Sequence, residues 1–243
     1  MDRTETAKIR LYVEHPLGEG QSVPLTREQA HYLFGVMRLR IGSPLLVFDG
    51  TSGEWLADVE DAGKRGGALR VVSKTRPIQR PPDVWLLFAP IKKARTDFIV
   101  EKAVELGAAR ILPVQTEFTN AGRIQRDRLQ AHAVEAAEQC GATYVPQVAD
   151  LARLDAVLGR WDETRRIMFC DEARAGETAA TFDNPGPWAI LVGPEGGFSP
   201  REREKLQVLT YAQPVSLGPR ILRADTAVVA ALTLWQRALG DWN

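Results

Sequence analysis

The chain carries the stretch AILVGPEGGFSPREREKL at residues 189–206, in which an apolar segment, Trp188–Val192, runs into a glycine-rich loop. Three glycines within Gly193–Gly197 permit positive φ and let the backbone approach a ligand closely. Residues 199–202, Ser-Pro-Arg-Glu, match a helix start with a serine N-cap, a proline in the first turn and a glutamate that closes a capping box. The stretch therefore predicts a strand, a ligand-facing loop and a helix.

A second stretch, SLGPRILRADTAVVAAL at residues 216–232, repeats this design. A short strand is expected at Val215–Leu217, a Gly-Pro break follows, and a helix is expected at Asp225–Leu239. Arg220 and Arg223 lie between the break and the helix. Two such loops form a crevice at the carboxyl ends of the strands of an α/β sheet. The pair predicts a site for a small molecule.

The two motifs, in this order, resemble the signature of the RsmE-type 16S rRNA (uracil-N3) methyltransferase family of the SPOUT superfamily. The resemblance implies an α/β fold: a SPOUT-type parallel sheet domain with a C-terminal trefoil knot, preceded by a small PUA-like β-barrel. Knots are nearly absent from other proteins. It also implies S-adenosylmethionine as cofactor, held by loops 191–198 and 216–226, and a homodimer that completes the active site.

The resemblance names the residues that hold the cofactor. They are Leu191, Val192, Gly193, Pro194, Glu195, Gly196, Gly197, Leu217, Gly218, Pro219 and Leu222. From the residues alone, the glycines also fit tight turns, the apolar side chains also fit a core, and Glu195 fits either a cofactor contact or a bond within its own loop.

Composition gives an ordinary globular protein. Lys and Arg number 31, as do Asp and Glu, so net charge carries no nucleic-acid signal. No apolar run spans a membrane and no signal peptide opens the chain, so we expect a cytoplasmic protein. Two cysteines give no disulfide framework, and no cysteine or histidine pattern indicates a metal site. His15, His31 and His132 are interpreted as structural.

The N-terminal part combines short strands with one helix. The strands are expected at Ile9–Val13, Pro44–Phe48, Trp55–Glu60 and Ala68–Ser73. The helix is expected at Thr26–Met37, with Ala30, Leu33, Phe34 and Met37 on one face. This pattern, and the resemblance of residues 31–50 to the family's N-terminus, predict a PUA-like RNA-binding barrel at residues 1–76. A proline-rich linker, TRPIQRPP at residues 75–82, leads to the methyltransferase domain, residues 77–243.

Strands and helices alternate after the linker, which predicts right-handed crossovers and a parallel sheet. The strands include Val84–Ala89, Ile111–Val114, Tyr144–Val148 and Ile167–Cys170. The helices include Thr96–Leu106, which Gly107 ends, and Arg126–Gln139.

Local basic density is the only electrostatic sign of an RNA partner. Residues 70–95 contain seven basic side chains and one acid, Asp83. A solvated surface explains such residues equally well, but phosphate contact needs only this density. The resemblance favours five basic residues as RNA contacts: Arg10, Arg38, Lys92, Arg95 and Lys102.

The resemblance also suggests which residues act in catalysis. Uracil N3 must lose its proton, and an arginine beside the cofactor would stabilise the resulting anion. Arg223 is the first candidate and Arg220 the second, although Arg220 also fits a salt bridge that shapes the loop. Asp225 and Thr226 are candidates to activate or orient the base, and either also fits the N-cap of the last helix.

Two positions depart from the family. Phe118 and Ala142 stand where the family often has arginines. Two alternatives therefore stay open: a SPOUT enzyme with another RNA target, either another base or a ribose 2′-hydroxyl, and a non-catalytic RNA-binding or ribosome-assembly protein. The prediction is an enzyme that methylates N3 of one uridine in the 16S rRNA of the small ribosomal subunit, without a membrane or metal partner.

Overall fold

The computed structural model of the chain describes residues 3–63, 66–177 and 184–242. Of these, the residues within 1–80 and 137–145 form one compact unit. Those within 81–136 and 146–243 form the second unit. The domain boundary expected between residues 76 and 77 stays a prediction.

The first unit contains a five-stranded sheet and the short helix α1 (Arg3–Thr6). Its strands are β1 (Arg10–Tyr12), β2 (Ser22–Pro24), β3 (Pro44–Phe48), β4 (Glu54–Ala62) and β5 (Gly67–Arg76). They lie in the order β1-β3-β4-β5-β2, with β1 parallel to β3 and the other neighbours antiparallel. Alternate residues of these strands, such as Leu45 and Val47 of β3, are buried in one core. The four predicted strands are confirmed, and β2 is an addition.

The predicted helix at Thr26–Met37 is real but not α-helical throughout. Thr26 caps α2 (Arg27–Ala30) through a full capping box with Gln29. From His31 to Val36 the chain is a π-helix, in which the Met37 amide donates to the carbonyl of Tyr32, five residues back. The wider turn rotates the apolar stripe, so Leu33 is buried whereas Met37 is exposed. The expectation that Met37 shares the buried face is therefore wrong.

The second unit alternates strands and helices. Its strands are β6 (Val84–Phe88), β7 (Arg110–Gln115), β8 (Gln147–Val148), β9 (Ala152–Arg153), β10 (Arg166–Cys170), β11 (Trp188–Val192) and β12 (Ala212–Val215). Its helices are α3 (Lys93–Glu105), α4 (Arg126–Cys140), α5 (Leu154–Leu158), a 3₁₀ turn (Glu172–Arg174), α6 (Pro200–Gln207) and α7 (Ala224–Leu239). The last turn of α4 falls within residues 137–145.

The strands of the second unit form the predicted parallel sheet, in the order β12-β10-β11-β6-β7-β8, with β9 also paired to β7. Every recorded pair in it is parallel. All five residues of β11 are buried, as expected for a central strand covered on both faces. Because β12, β10 and β11 are neighbours, the loops that follow them meet at one edge of the sheet.

The expected strand at Val215–Leu217 is shifted to Ala212–Val215. The Ser216 hydroxyl accepts a hydrogen bond from the Gly218 amide at 3.3 Å, and Gly218 has φ +112°. This local turn ends the strand at Val215, because the next residues bond to one another instead of continuing the ladder. Leu217 is therefore a loop residue.

Helix α7 returns to the first helix of its unit. It packs against α3 and β11. The fully buried Gln236 donates from its amide to the Leu106 carbonyl at 2.7 Å and lies 3.5 Å from that of Gly107, the glycine that ends α3 with φ +75°. Helix α7 thus supplies a hydrogen bond to a backbone carbonyl at the C-terminus of α3. The trefoil knot implied by the resemblance stays a prediction.

None of the helices in the described part of the chain combines the length and apolar character needed to span a membrane. Cys170 is buried, and this burial raises the pKa of its thiol to about 12, so the thiol stays protonated and weakly reactive. Cys140 is exposed and unpaired to a second cysteine.

Candidate active site

Loop one, residues 193–199, follows β11. The Gly197 amide donates to the Pro194 carbonyl at 2.8 Å, and Gly197 has φ +68°, so the loop closes as a tight turn. Phe198 is buried and meets Phe169 edge to face at 5.7 Å between ring centroids. Ser199 then starts α6 with the predicted capping box to Glu202, which is confirmed. The buried Phe198 and the Ser199 cap fix the C-terminal end of the glycine loop, and β11 fixes its start.

Loop two, residues 216–223, follows β12. Its Gly218 carbonyl accepts a hydrogen bond from the Gly176 amide at 3.0 Å, which ties loop two to the segment after β10. The loop ends at Arg223, which is the N-cap position of α7. The Gly-Pro break therefore lies inside the loop, and the helix starts at Ala224, one residue before the predicted Asp225.

A cleft lies between the two loops and the end of β10. It holds about 530 Å³ of free space that is partly open to solvent. Eight of the predicted cofactor residues line it: Val192, Gly193, Pro194, Glu195, Gly197, Leu217, Gly218 and Leu222. Arg220 lines it too.

Three predicted cofactor residues do not line the cleft. Leu191 is buried in the core beside Phe169 and Phe198. Gly196 lies against Phe118, since a Cβ on Gly196 would sit 3.4 Å from the Cβ of Phe118. Pro219 is exposed next to the cleft-lining Gly218. The cofactor roles of these three residues stay predictions.

Sequence reasoning missed the part of the cleft that β10 contributes. These residues are Cys170, Asp171, Glu172 and Ala175, and they are joined by Ile221, Ala224 and Ala227 from loop two and α7. The signal was present, because β10 is a neighbour of β11 and acids directly follow its apolar run. Strand order, which the sequence does not reveal, is needed to place those acids beside loop one.

Arg203 of α6 holds the two acids that follow β10. Its Nε lies 2.9 Å from Asp171, and its Nη2 bonds to Glu172. Asp171 is buried and also accepts from the Ala173 amide at 3.1 Å. The fork of one guanidinium therefore fixes two consecutive carboxylates at the cleft.

Arg95, whose role as an RNA contact stays a prediction, lies between loop one and the first turn of α7. Its guanidinium is 3.7 Å from Glu195 of loop one and 3.7 Å from Asp225 in the first turn of α7. A cation from α3 thus faces one acid at each side of the site.

The four candidate catalytic residues occupy different positions. Arg220 lines the cleft, whereas Arg223 is exposed at the helix start. Helix α7 begins at Ala224, so the interpretation of Asp225 or Thr226 as N-cap is wrong. Asp225 lies in the first helical turn, where its charge is favoured by the helix dipole, and it accepts from the Thr226 amide at 2.9 Å.

Arg10, predicted to bind RNA, is engaged inside the first unit. It bonds to Glu54 at 2.7 Å, to the carbonyls of Ala137 and Glu138 at 2.8 and 2.9 Å, and to that of Ala142 at 2.9 Å. The side chain is 13% exposed. Arg10 therefore holds the carbonyls at the end of α4, and its role as an RNA contact stays a prediction.

The other basic candidates are more accessible. Arg38 is exposed and has φ +58°, a backbone conformation that residues other than glycine rarely adopt. Lys92 is exposed at the start of α3. Lys102 donates to Glu105 at 2.6 Å and lies over the ring of Phe98.

The described residues contain no group of three or more His, Cys, Asp or Glu side chains arranged to hold a metal ion.

The chain matches two family models. Residues 79–236 match an RNA methyltransferase domain, and residues 25–72 match an RNA methyltransferase PUA domain.

Curated relatives and a solved structure agree with these matches. The chain is 33% identical to ribosomal RNA small subunit methyltransferase E of Synechocystis, over 87% of this chain and 71% of that protein. It is 28% identical to the enzyme of the same name from Rickettsia conorii, over 92% and 93% of the two chains. It is also similar to the crystal structure of the Neisseria gonorrhoeae enzyme bound to S-adenosyl methionine, with TM-score 0.88, 27% identity and coverage of 97% and 99%. The chain belongs to the RNA methyltransferase family, in the branch of ribosomal RNA small subunit methyltransferase E.

Proposed function

We propose that this protein transfers a methyl group from S-adenosylmethionine to N3 of a specific uridine in the 16S rRNA of the small ribosomal subunit. The observation that carries the proposal is the cleft between two glycine loops, at the carboxyl ends of neighbouring parallel strands. The relatives named as small-subunit rRNA methyltransferases support the choice of RNA.

The residues of the cleft fit an adenosine-containing cofactor. Val192, Leu217 and Leu222 supply apolar walls, while Gly193 and Gly197 expose the backbone of loop one. A Cβ at Gly193 would lie 3.2 Å from the ring of the buried Phe198, and one at Gly197 would overlap the Glu172 carboxylate, so the loop keeps this close packing only with glycine at both positions. When bound, S-adenosylmethionine supplies a methyl group that its sulfonium already makes electrophilic.

The protein then has to position and activate the uracil. Arg220 in the cleft and Arg223 at its edge supply positive charge for the anion that forms on N3 and its flanking carbonyl oxygens. Asp225 supplies a carboxylate that can accept or relay the N3 proton, with Thr226 beside it. Arg95, close to both Asp225 and Glu195, orients these two acids.

The first unit offers a surface suited to RNA. The π-helix and the loop after it leave Tyr32 38%, Val36 58%, Met37 42% and Ile41 68% exposed, next to the exposed Arg38. Exposed apolar and aromatic side chains beside a guanidinium favour unstacked bases and phosphates. In the second unit, Lys92 and Lys102 are further candidates for phosphate contact, and Lys102 also donates to Glu105.

A homodimer is part of the proposal. Phe98 of α3 is 39% exposed, Leu234 of α7 is 40% exposed, and Ile221 of loop two is 74% exposed. Since α3 and α7 pack together, a second copy would cover apolar surface next to the cleft. Sedimentation at micromolar concentration is expected to give a dimer, and a purely monomeric species would count against it. A ribosomal RNA substrate also accounts for the expected cytoplasmic location.

The test is methyl transfer from radiolabelled S-adenosylmethionine to purified small ribosomal subunits that lack the modification, followed by nucleoside mass spectrometry. The expected product is 3-methyluridine. A different methylated nucleoside would overturn the target but keep the cofactor. Cofactor binding by calorimetry without any transfer would favour a ribosome-assembly role, and would implicate Phe118 and Ala142, which stand where the family often has arginines.

A further inference from the structure

Glu172 is an acid of the cleft that the proposed reaction leaves without a role. It lies two residues after β10, lines the cleft, and has a side chain that is 30% exposed. Its neighbour Asp171 is 1% exposed at the side chain, and its Oδ1 accepts from Arg203 and from the Ala173 amide. Of this acid pair, Glu172 is the one that can reach a ligand.

Glu172 lies against the glycine of loop one. A Cβ added to Gly197 would overlap the Glu172 carboxylate. The carboxylate therefore occupies the place where the backbone of loop one approaches the cleft. It sits at the end of β10, while loop one leaves the adjacent strand β11.

One oxygen of the Glu172 carboxylate is already engaged. Arg203 bonds to Oε1 with the same guanidinium that holds Asp171. Oε2 and the remaining lone pairs are acceptors that suit neutral hydroxyl donors. An acid at the end of one strand, beside a glycine loop on the next, is how other open α/β sheets accept the hydroxyls of a ribose. Glu195 differs, because its carboxylate is 47% exposed and faces Arg95 only at 3.7 Å.

We infer that Glu172 is a specificity-determining residue that accepts hydrogen bonds from the ribose hydroxyls of the cofactor's adenosine, and that Arg203 is the positioning residue that holds it. The inference rests on the proposed use of S-adenosylmethionine. It assigns the adenosine ribose to the β10 side of the cleft.

The test is calorimetry of the full-length protein with three ligands: S-adenosylmethionine, S-adenosylhomocysteine and 5′-methylthioadenosine. The ribose is common to all three, the methionine part is absent from the last, and the sulfonium charge is present only in the first. Glu172→Ala is expected to weaken all three by the same factor, about 10- to 100-fold, because each loses a hydrogen bond to a charged acceptor. Glu172→Gln keeps one acceptor oxygen, so we expect a smaller loss of affinity.

The matched control is Glu204→Gln, which removes one charge from an exposed position on α6 outside the cleft. It should bind all three ligands as the unaltered protein does. Thermal unfolding of each variant checks that it is folded. A 2′,3′-dideoxy form of 5′-methylthioadenosine should bind the unaltered protein weakly and lose little more on Glu172→Ala, because the two changes remove the same bonds.

Arg203→Lys keeps the charge but loses the guanidinium fork. It should weaken binding of the three ligands equally. In the double variant it should add little to the loss of affinity caused by Glu172→Ala, as expected for a residue that acts through Glu172. Additive losses in the double variant would overturn the positioning role.

The outcomes separate this inference from the proposed function. A loss confined to S-adenosylmethionine would place Glu172 at the sulfonium, and a loss that spares 5′-methylthioadenosine would place it at the methionine part; each overturns the ribose assignment. Unchanged binding of all three by Glu172→Ala and Glu172→Gln overturns it as well, with the cofactor proposal intact. If the unaltered protein binds none of the three, both proposals fall.

Discussion

The guanidinium of Arg95 lies 3.7 Å from the carboxylate of Asp225, which places a cation of α3 at the first turn of α7. The same side chain lies 3.7 Å from Glu195 in loop one. These distances exceed those of direct hydrogen bonds, so the contacts are electrostatic. Arg95 links the two halves of the site by charge, a role that its sequence position next to other basic residues did not suggest.

Removing this link is expected to slow the reaction more than it weakens the cofactor. Arg95→Gln should lower turnover about 10- to 100-fold, because Asp225 loses the charge that orients it and small displacements are costly at a reacting centre. The cofactor Kd, measured by calorimetry, should stay within about 3-fold, as the partial exposure of these ion pairs limits their strength. Lys93→Gln, an exposed change in the same turn, is the control. Equal losses of binding and turnover would assign Arg95 to cofactor binding instead.

The two arginines of loop two should differ from each other. Arg223→Ala is expected to keep cofactor affinity while turnover falls about 100- to 1,000-fold, as for loss of a group that stabilises a developing anion. Arg220→Ala should weaken the cofactor as well, because Arg220 lines the cleft. Calorimetry and single-turnover methyl transfer separate the effects. Loss of cofactor binding in Arg223→Ala would show that its assigned role is wrong.

Gly197 should tolerate no side chain. Gly197→Ala places a Cβ on the Glu172 carboxylate and holds alanine at φ +68°, so we expect a loss of about 1–3 kcal/mol in the free energy of unfolding and no measurable cofactor binding. Gly122→Ala is the control, since a Cβ there meets nothing within 4 Å. Denaturant unfolding and calorimetry measure the two quantities. Normal cofactor binding by Gly197→Ala would contradict the described approach of loop one to Glu172.

Acid should weaken the first unit through Glu54. Burial raises the pKa of this carboxyl, but hydrogen bonds from Arg76, Arg10 and Thr75 outweigh it and hold the pKa below its ordinary value of 4.5. A lowered folded-state pKa stabilises the protein above the unfolded value, and this contribution is lost as pH falls below 4.5 toward the folded pKa.

Glu54→Gln should therefore remove part of the dependence of unfolding free energy on pH below 4.5. It should also destabilise the protein at neutral pH, because the mostly buried Arg10 and the more exposed Arg76 lose their counter-charge. Glu19→Gln, an exposed change in the same unit, should do neither. Parallel pH profiles for the unaltered protein and Glu54→Gln would exclude this role for Glu54.

Much of the fold was predictable because its signals are local. The apolar run of β11, the glycines after it and the Ser199 capping box lie within one short stretch, and each is found where expected. The π-helix from His31 to Val36 was not predictable, because its spacing of apolar residues is also that of an amphipathic α-helix. The shift of β12 came from a hydrogen bond between Ser216 and Gly218 that no propensity describes.

The candidate site likewise has parts that the sequence predicts and parts that it does not. Its two loops carry their own glycine patterns and were found from sequence. Glu172 and Arg203 were not, because they become neighbours of loop one only through the order of strands and the packing of α6. The intramolecular bonds of Arg10 were not predicted for a related reason, because the three carbonyls that it binds lie about 130 residues away in the sequence.

The hydrogen bond from Gln236 to the end of α3 forms only late in the synthesis and folding of the chain. Translation proceeds from the N-terminus, so α3 leaves the ribosome long before the amide that completes its last turn. Loop two and α7 also follow the other parts of the site in the sequence. A nascent chain can assemble most of the parallel sheet, but the cleft has only two of its three walls until loop two and α7 have been made. We therefore expect ligand binding to arise only after α7 has docked, as a late step in folding.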